Sequence, residues 1–311
     1  MIQQSLIEEQ LALDHKGLLA ERFKKIDVSL SEYSFANLYL FRHRHDYKVM
    51  IDGKDVFVSG RTYNGMSYIM PTIDIGKDDP ETAAYIDKLI GVAGADYDLI
   101  FPIPEEWLKK FEGAREDYVE EDSDYIYTVE KLSTYKGQKL HGQKNLLNQC
   151  KNLYEPYAKP LTKERLNDAK EIVDQWLKDT GVAKSGVDYH QCMEALDLNE
   201  ELVLCGLIYY AGQEPAGFLI GENINKSMFA LHFAKAKRKF KGIYQFMYND
   251  FANILPQHYE WLNFEQDLGI SALKIAKSSY HPDRKLKKYR ILVRHHHHNG
   301  VFEKRKGKIQ A

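Results

Sequence analysis

The chain has 311 residues, 44% apolar and 28% charged, with a formal net charge of −2. This composition fits one large or two ordinary globular domains and excludes a disordered chain of low hydrophobicity. Its three cysteines, Cys150, Cys192 and Cys205, are odd in number, far apart and in no metal-ligand spacing. That excludes a disulfide framework and predicts reduced, buried thiols in a cytoplasmic protein, with no metal site expected. No apolar run reaches membrane-spanning length, and Glu8 and Glu9 stand where a signal peptide needs basic residues. Any membrane contact is therefore expected to be peripheral.

Charge is unevenly placed. Residues 1–155 carry 19 basic and 27 acidic side chains, and residues 156–311 carry 24 and 18. From Arg284 to Lys308 the chain has ten Lys or Arg and a single acid, Glu303. Such a stretch suits a phosphate backbone (tRNA) or an anionic membrane surface, and equally a solvated tail.

Taken in order, residues 6–26 read as an amphipathic helix, with Leu6, Leu11, Leu13, Leu18, Leu19 and Phe23 inward. Residues 34–41 are short, aromatic and buried in character. Strands follow at 47–51, 55–59 and 66–70, turning at Asp52-Gly53 and Asn64-Gly65. A helix is expected over 80–93, a strand over 98–102 and a helix around Trp107. An acidic loop, 116–124, precedes the apolar segment 125–129. One long polar helix is expected over 132–153.

Pro156 and Pro160 punctuate the chain, which places a domain boundary there: residues 1–155 and 156–311. Thr162 is read as the N-cap of a helix with Leu166, Ala169, Val173, Trp176 and Leu177 on its apolar positions. A second helix covers 190–198. Strands follow over 201–211, 214–221 and 227–234, then a basic loop, a helix over 242–255 and a last strand over 289–294. The second half thus reads helix, helix, three antiparallel strands, loop, helix, strand, helix, strand. The first half repeats this order more loosely, which hints at an internal duplication.

The stretch 259–282 concentrates the chemistry. Trp261 to Phe264 reads as a buried strand, and Glu265 and Asp267 follow at alternate positions, on one side if the strand continues. Gly269 permits a turn. A helix from Ile270 to Tyr280 then carries Ile270, Leu273 and Ala276 inward and Lys274 and Lys277 one turn apart. Paired acids beside paired lysines suit transfer chemistry, with the acids binding an ammonium or taking a proton. Lys277 would stabilise developing negative charge. The plainer alternative is a structural ion network capping the helix.

The element order resembles the GNAT acyltransferase fold. There, a loop and the next helix N-terminus bind a pyrophosphate with backbone amides. The corresponding residues are Lys239-Phe240-Lys241-Gly242-Ile243-Tyr244-Gln245, where Tyr244 replaces a small residue and would crowd a phosphate. The basic run around them still favours an anion. His232, on an apolar strand, is read first as a satisfied core residue and second as substrate-binding. Lys139, His141, Lys144 and Asn145 form a polar cluster that suits phosphate or a tRNA acceptor end, or a solvated helix face.

The strings KGQKLHGQKNLLNQ (136–149), KFKGIYQFMYNDFA (239–252) and FEQDLGISALKIAKSSYHP (264–282) resemble the phosphatidylglycerol lysyltransferase C-terminal domain family. The resemblance implies an α/β protein of two tandem GNAT-like domains, similar to Fem-type aminoacyltransferases. It implies transfer of an aminoacyl group from aminoacyl-tRNA to a lipid head group or other small acceptor, with no tightly bound cofactor. The implied catalytic set is Glu265, Asp267 and Lys277, with Tyr280 as a general acid in the manner of many GNAT enzymes. Lys139, His141, Lys144, Asn145, His232, Gly242, Tyr244, Gln245 and Lys274 are the implied substrate-binding residues. Two alternatives stand beside it: an acyl-CoA-dependent N-acyltransferase, and a non-catalytic binder of tRNA or lipid head groups. The run His295–His298 suits adventitious metal binding.

Overall fold

In the computed structural model, residues 7–293 are described. The chain makes two passes through one sequence of elements. The first pass is β1 (Ile7–Gln10), α1 (Lys16–Phe23), α2 (Phe35–His45), β2 (Lys48–Asp52), β3 (Asp55–Arg61), β4 (Ser67–Pro71), α3 (Pro80–Asp96) and β5 (Leu99–Ile103). A 3-10 helix at Glu105–Phe111, β6 (Arg115–Tyr118) and β7 (Asp124–Thr128) complete it. Two connecting helices follow, α4 (Val129–Thr134) and α5 (His141–Tyr154). The second pass is β8 (Tyr157–Pro160), α6 (Leu166–Thr180), α7 (Tyr189–Asp197), β9 (Cys205–Ala211), β10 (Glu214–Asn225), β11 (Met228–Ala236), α8 (Ile243–Ile254) and β12 (Trp261–Asn263). It closes with α9 (Ser271–Ser278), β13 (Arg284–Leu286) and β14 (Tyr289–Leu292).

Each pass builds one seven-stranded sheet, in the orders β1-β2-β3-β4-β5-β14-β6 and β8-β9-β10-β11-β12-β7-β13. In both, an antiparallel meander leads to a parallel neighbour: β4 with β5, and β11 with β12. This is the GNAT-like arrangement twice over, and the duplication is real at the level of topology. The last strand of each pass is exchanged. β7 lies in the second sheet between β12 and β13, and β14 lies in the first between β5 and β6. The sheets therefore do not divide the chain at 155/156. They divide between β6 and β7, and the chain returns to the first sheet at β14. Proline punctuation marked a turn into β8, an edge strand.

The hairpin strands 48–71, the helices α3, α6, α7 and α8 and the meander β9–β11 match expectation. The helix expected over 6–26 is instead β1, a 3-10 turn and the short α1; Leu11, Leu19 and Phe23 are buried, whereas Leu18 is exposed. Leu6 lies outside the described residues. The buried run 34–41 is the start of α2, capped by Ser34 Oγ, which accepts from the Asn37 N–H. A helix buried all round carries no periodic signal. The helix expected over 132–153 breaks where Tyr135 and Gly137 take positive φ. Thr162 precedes a 3-10 turn and makes no side-chain cap. Cys150 and Cys192 are buried, but Cys205 is exposed.

The basic run from Arg284 is not a solvated tail in its described part. Arg284 lies over the Trp261 ring at 4.0 Å, and Lys285 pairs with Glu120 at 2.6 Å. Lys287 lies over Tyr118 at 4.3 Å, Arg290 pairs with Asp122 at 2.5 Å, and Lys288 is fully buried. His295–His298 and the rest of the run lie outside the described residues.

One apolar core fills the first unit and runs on under α6 and α7, through Ile172, Val173, Ile208 and Phe218. A second core fills the other face of the second sheet, beneath α4, α5 and α8. The candidate site lies where β12 ends, against the junction of the two units.

Candidate active site

β12 stops because the backbone turns back on itself. Glu265 and Leu268 both take φ of +57°, and Gly269 takes +71°. A left-handed non-glycine residue costs on the order of 1–2 kcal/mol, so two of them in four residues need external support. The support is visible. The Glu265 N–H donates to Asn263 Oδ1 at 2.7 Å, and Asn263 Nδ2 donates to Asp124 Oδ2 at 3.0 Å. The Leu268 N–H donates to the Glu121 carbonyl at 3.1 Å, and the Gly269 N–H to Asp267 Oδ1 at 2.8 Å.

The turn separates the two acids that alternation would have placed side by side. Asp267 is walled off, accepting from Tyr125 OH at 2.5 Å. The Glu265 carboxylate points the other way, into the junction of the units. It accepts from Asn37 Nδ2 on α2 at 2.9 Å and meets His232 Nδ1 at 2.7 Å. His232 Nε2 meets Glu222 at 2.9 Å, and Glu222 also accepts from the Ser34 hydroxyl. Burial alone would strip the His232 proton, but Glu265 and Glu222 outweigh it and carry the pKa up to about 10. His232 is thus an imidazolium clamped between carboxylates, tying the second sheet to α2. Both of its ring nitrogens are engaged within the protein.

Lys277 approaches the turn from α9. Its side chain is half-buried, with the ammonium drawn inward to donate to the carbonyls of Glu265 at 3.2 Å and Gln266 at 2.6 Å. Burial lowers its pKa to about 8, against the pull of Glu265, Asp124 and Asp267. It meets the carbonyl side of the loop, so the expected carboxylate–ammonium cluster in an open crevice is not formed. Lys274 is exposed on α9.

Tyr280 is buried among Tyr127, Tyr135 and Tyr248, and burial holds its phenol well above the usual range. Tyr244 is also held inside, its hydroxyl accepting from the Ala236 N–H at 3.1 Å. Gly242 takes φ of +82°, and a Cβ there would fall 2.1 Å from the Leu146 carbonyl oxygen. It serves the close approach of α5. Gln245 donates to Gln143 Oε1 at 2.8 Å, and Gln143 donates to the Ser279 carbonyl and hydroxyl, both at 3.0 Å. This chain links α8, α5 and α9. Lys139, His141, Lys144 and Asn145 are exposed along the same rim, His141 Nδ1 lying 3.3 Å from Asn145 Nδ2.

Several buried groups at the junction carry no signal in the sequence. Lys288 Nζ reaches Glu32 at 2.7 Å, Asp124 at 2.6 Å and Gln266 Oε1 at 2.7 Å. Burial raises the Glu32 carboxyl to about 7, Lys288 working against the shift and Asp124 with it. Glu32, His45, Thr62, Tyr63, Tyr68 and Gln266 line a cavity of about 20 Å³, room for about one water. Burial lowers His45 to about 4, so the ring is neutral, with Nδ1 2.7 Å from the Arg61 carbonyl oxygen. Lys288 sits in a string of basic residues, where a buried cation cannot be told from its solvated neighbours.

The two loops that would cradle a pyrophosphate have partners of their own. Before α8, the Arg238 N–H donates to Asp179 at 2.9 Å and the Lys241 N–H to Tyr154 OH at 3.3 Å. Before α3, the Asp79 carboxylate accepts from the Thr82 N–H at 2.8 Å, placing negative charge at the helix N-terminus.

Comparison with known proteins agrees with this architecture. The family model described as phosphatidylglycerol lysyltransferase, C-terminal, matches residues 23–292. A conserved protein of unknown function from Bacteroides thetaiotaomicron has a similar structure, with a TM-score of 0.81 and 24% identity over 93% of this chain and 100% of that one. A structure from Agrobacterium fabrum, described as the C-terminal domain of a lysylphosphatidylglycerol synthetase, has a TM-score of 0.61 and 13% identity over 91% and 92% of the two chains. An uncharacterised protein of Mycoplasmoides gallisepticum is 24% identical over 68% of this chain; the match spans 65% of that relative's length.

Proposed function

The chain belongs to the phosphatidylglycerol lysyltransferase C-terminal family, and we propose that it moves an aminoacyl group from aminoacyl-tRNA to a lipid head group or other small acceptor. The observation that carries the reading is Lys277: an ammonium of lowered pKa, held by two carbonyls of a strained turn at the junction of two GNAT-like units. Backbone strain and a perturbed lysine at one place support a functional reading.

In the proposed step, the acceptor's hydroxyl or amine forms a bond to the ester carbonyl carbon. The bond from that carbon to the ribose oxygen then breaks. Lys277 stabilises the oxyanion, hands its proton to the departing ribose oxygen and regains one from the acceptor. A group near pKa 8 is protonated at neutral pH yet acidic enough for this exchange. Glu265 acts as a positioning residue: its carboxylate is committed to His232 and Asn37, and its carbonyl orients Lys277. Asp267 holds the turn. Tyr280 keeps its proton and packs the core. Lys139, His141, Lys144, Asn145 and Lys274 stand on the rim to meet phosphate groups.

An acyl-CoA donor is disfavoured by Tyr154, Tyr244 and Asp79, which occupy the amides a pyrophosphate or thioester would need. The test supplies the full chain with charged tRNA and glycerol phosphate, and separately with acetyl-CoA. Ester-dependent transfer with no acetyl-CoA consumption is expected. Consumption of acetyl-CoA, or thermal stabilisation by it alone, would overturn the reading.

A further inference from the structure

α9 is built inside out. The helix has no buried residue. Ile270 is 42% exposed, Leu273 37% and Ile275 71%, while the residue turned inward is Lys277. At 100° per residue, Ile275, Ala272, Ala276 and Leu273 form one apolar arc with Lys277 at its edge, and Ser271, Lys274 and Ser278 form the other side. Ile270, Leu273 and Ala276 were expected to face the core; they face solvent. The corresponding segment of the first pass, Glu105–Phe111, buries Trp107 and Phe111. An exposed aliphatic arc of this kind marks a contact surface.

Charge identifies the partner. Between Lys131 and Tyr154 there is no Asp or Glu, nor is there one from Leu268 to Pro282. The Gln143–Ser279 hydrogen bonds join these two acid-free stretches. Lys139, Lys144 and Lys274 have no ion-pair partner among the described residues. Aliphatic side chains bordered by free lysines are the composition of a helix that lies in a lipid interface. RNA would call for arginine or aromatic rings to stack on bases, and α9 has neither. The geometry points to α9, with the lysine rim of α5, as the face that docks on an anionic lipid surface. This rests on the lipid acceptor in the function proposed above: docking there sets head groups beside the turn that Lys277 holds.

Flotation of the full chain with vesicles of phosphatidylglycerol in phosphatidylcholine, and of phosphatidylcholine alone, tests it. The wild type should float with the anionic vesicles only. Leu273→Ser with Ile275→Ser should weaken this at least tenfold with an unchanged melting curve, and Lys274→Ala about fivefold. Failure of the wild type to float, or equal flotation of the double variant, would overturn the proposal. So would a lipid-free dimer that the double variant dissociates, or RNA binding that it loses in place of vesicle binding. Transfer to soluble glycerol phosphate is measured without vesicles. Transfer without flotation overturns the docking face alone; flotation without any transfer overturns the functional reading alone.

Discussion

After its fifth strand each pass of the chain runs into a short helical segment, and the two segments are built in opposite ways. In the first, Glu105–Phe111 lies against the sheet and buries Trp107 and Phe111 in the core. No non-glycine residue between Leu99 and Phe111 takes a positive φ. In the second, two left-handed residues lift the chain off β12, and α9 stands clear of the core with only a lysine turned inward. The same place in the same topology is anchored by buried aromatic rings in one unit and set off the sheet by a strained turn in the other. The difference teaches where backbone strain has taken the place of apolar burial, at the site proposed above. Aromatic burial fixes the first segment, and a network of buried charge at the junction must fix the second.

That comparison breaks most severely at Lys288, which neutralises Glu32 and Asp124 with no exposure of its own. Lys288→Ala leaves two carboxylates buried and is expected to cost about 3–5 kcal/mol, read by urea unfolding. Adding Asp124→Asn should recover on the order of 1–3 kcal/mol, because the orphaned charge at the other Lys288 partner disappears. Additive losses would show that the junction is not a coupled unit.

His232 gives the next largest effect, and it depends on pH. Its folded pKa is raised to about 10, so its stabilising contribution is complete below about 6.5, the ordinary histidine value, and is lost as pH rises through 10. Lys277 has the opposite sign: its pKa is lowered to about 8, so the folded state gains as pH rises from 8 toward the ordinary lysine value. The quantity to measure is therefore the stability difference between wild type and His232→Gln. It should be large at pH 6.5 and shrink toward pH 10; a difference independent of pH would mean the ring is neutral.

Much of this architecture was legible in the sequence, for reasons that also explain what was not. The hairpins at Asp52-Gly53 and Gly212-Gln213 are local, and so are the α6 and α8 patterns. Each is decided by a few neighbouring residues. The reciprocal exchange of β7 and β14 is decided by contacts more than 130 residues apart, which no local pattern records. At the site, Glu265, Asp267 and Lys277 were singled out by type and spacing, but the period-two argument failed because Glu265 leaves the strand in the left-handed region. Ile270, Leu273 and Ala276 have the spacing of a core face, and spacing cannot say whether a core is there to receive them. Glu32 and Lys288 are buried by tertiary contact alone.

Lys277→Ala separates chemistry from support. Two carbonyls lose a donor, but the cost of burying the ammonium is removed as well, so the stability loss should be about 1 kcal/mol. Removing an oxyanion-stabilising donor should lower transfer about 10²- to 10³-fold. Wild-type kcat should fall as pH rises through about 8, and the variant's residual rate should lack that limb. Lys277→Arg should not restore it, since a guanidinium does not release its proton in this range. Intact transfer in Lys277→Ala would leave this lysine as a strut for the turn.

The smallest expected change is Ile275→Ser. Because α9 contributes nothing to either core, unfolding free energy in lipid-free solution should stay within about 0.5 kcal/mol of wild type. The same substitution at an inward position of an ordinary amphipathic helix would leave a cavity and a buried hydroxyl, and would cost several times more. The measurement is an equilibrium unfolding curve at two protein concentrations. A loss well beyond 0.5 kcal/mol at both would mean that α9 packs inward in solution, as its first-pass counterpart does. A loss confined to the higher concentration would place the arc against a second copy of the chain.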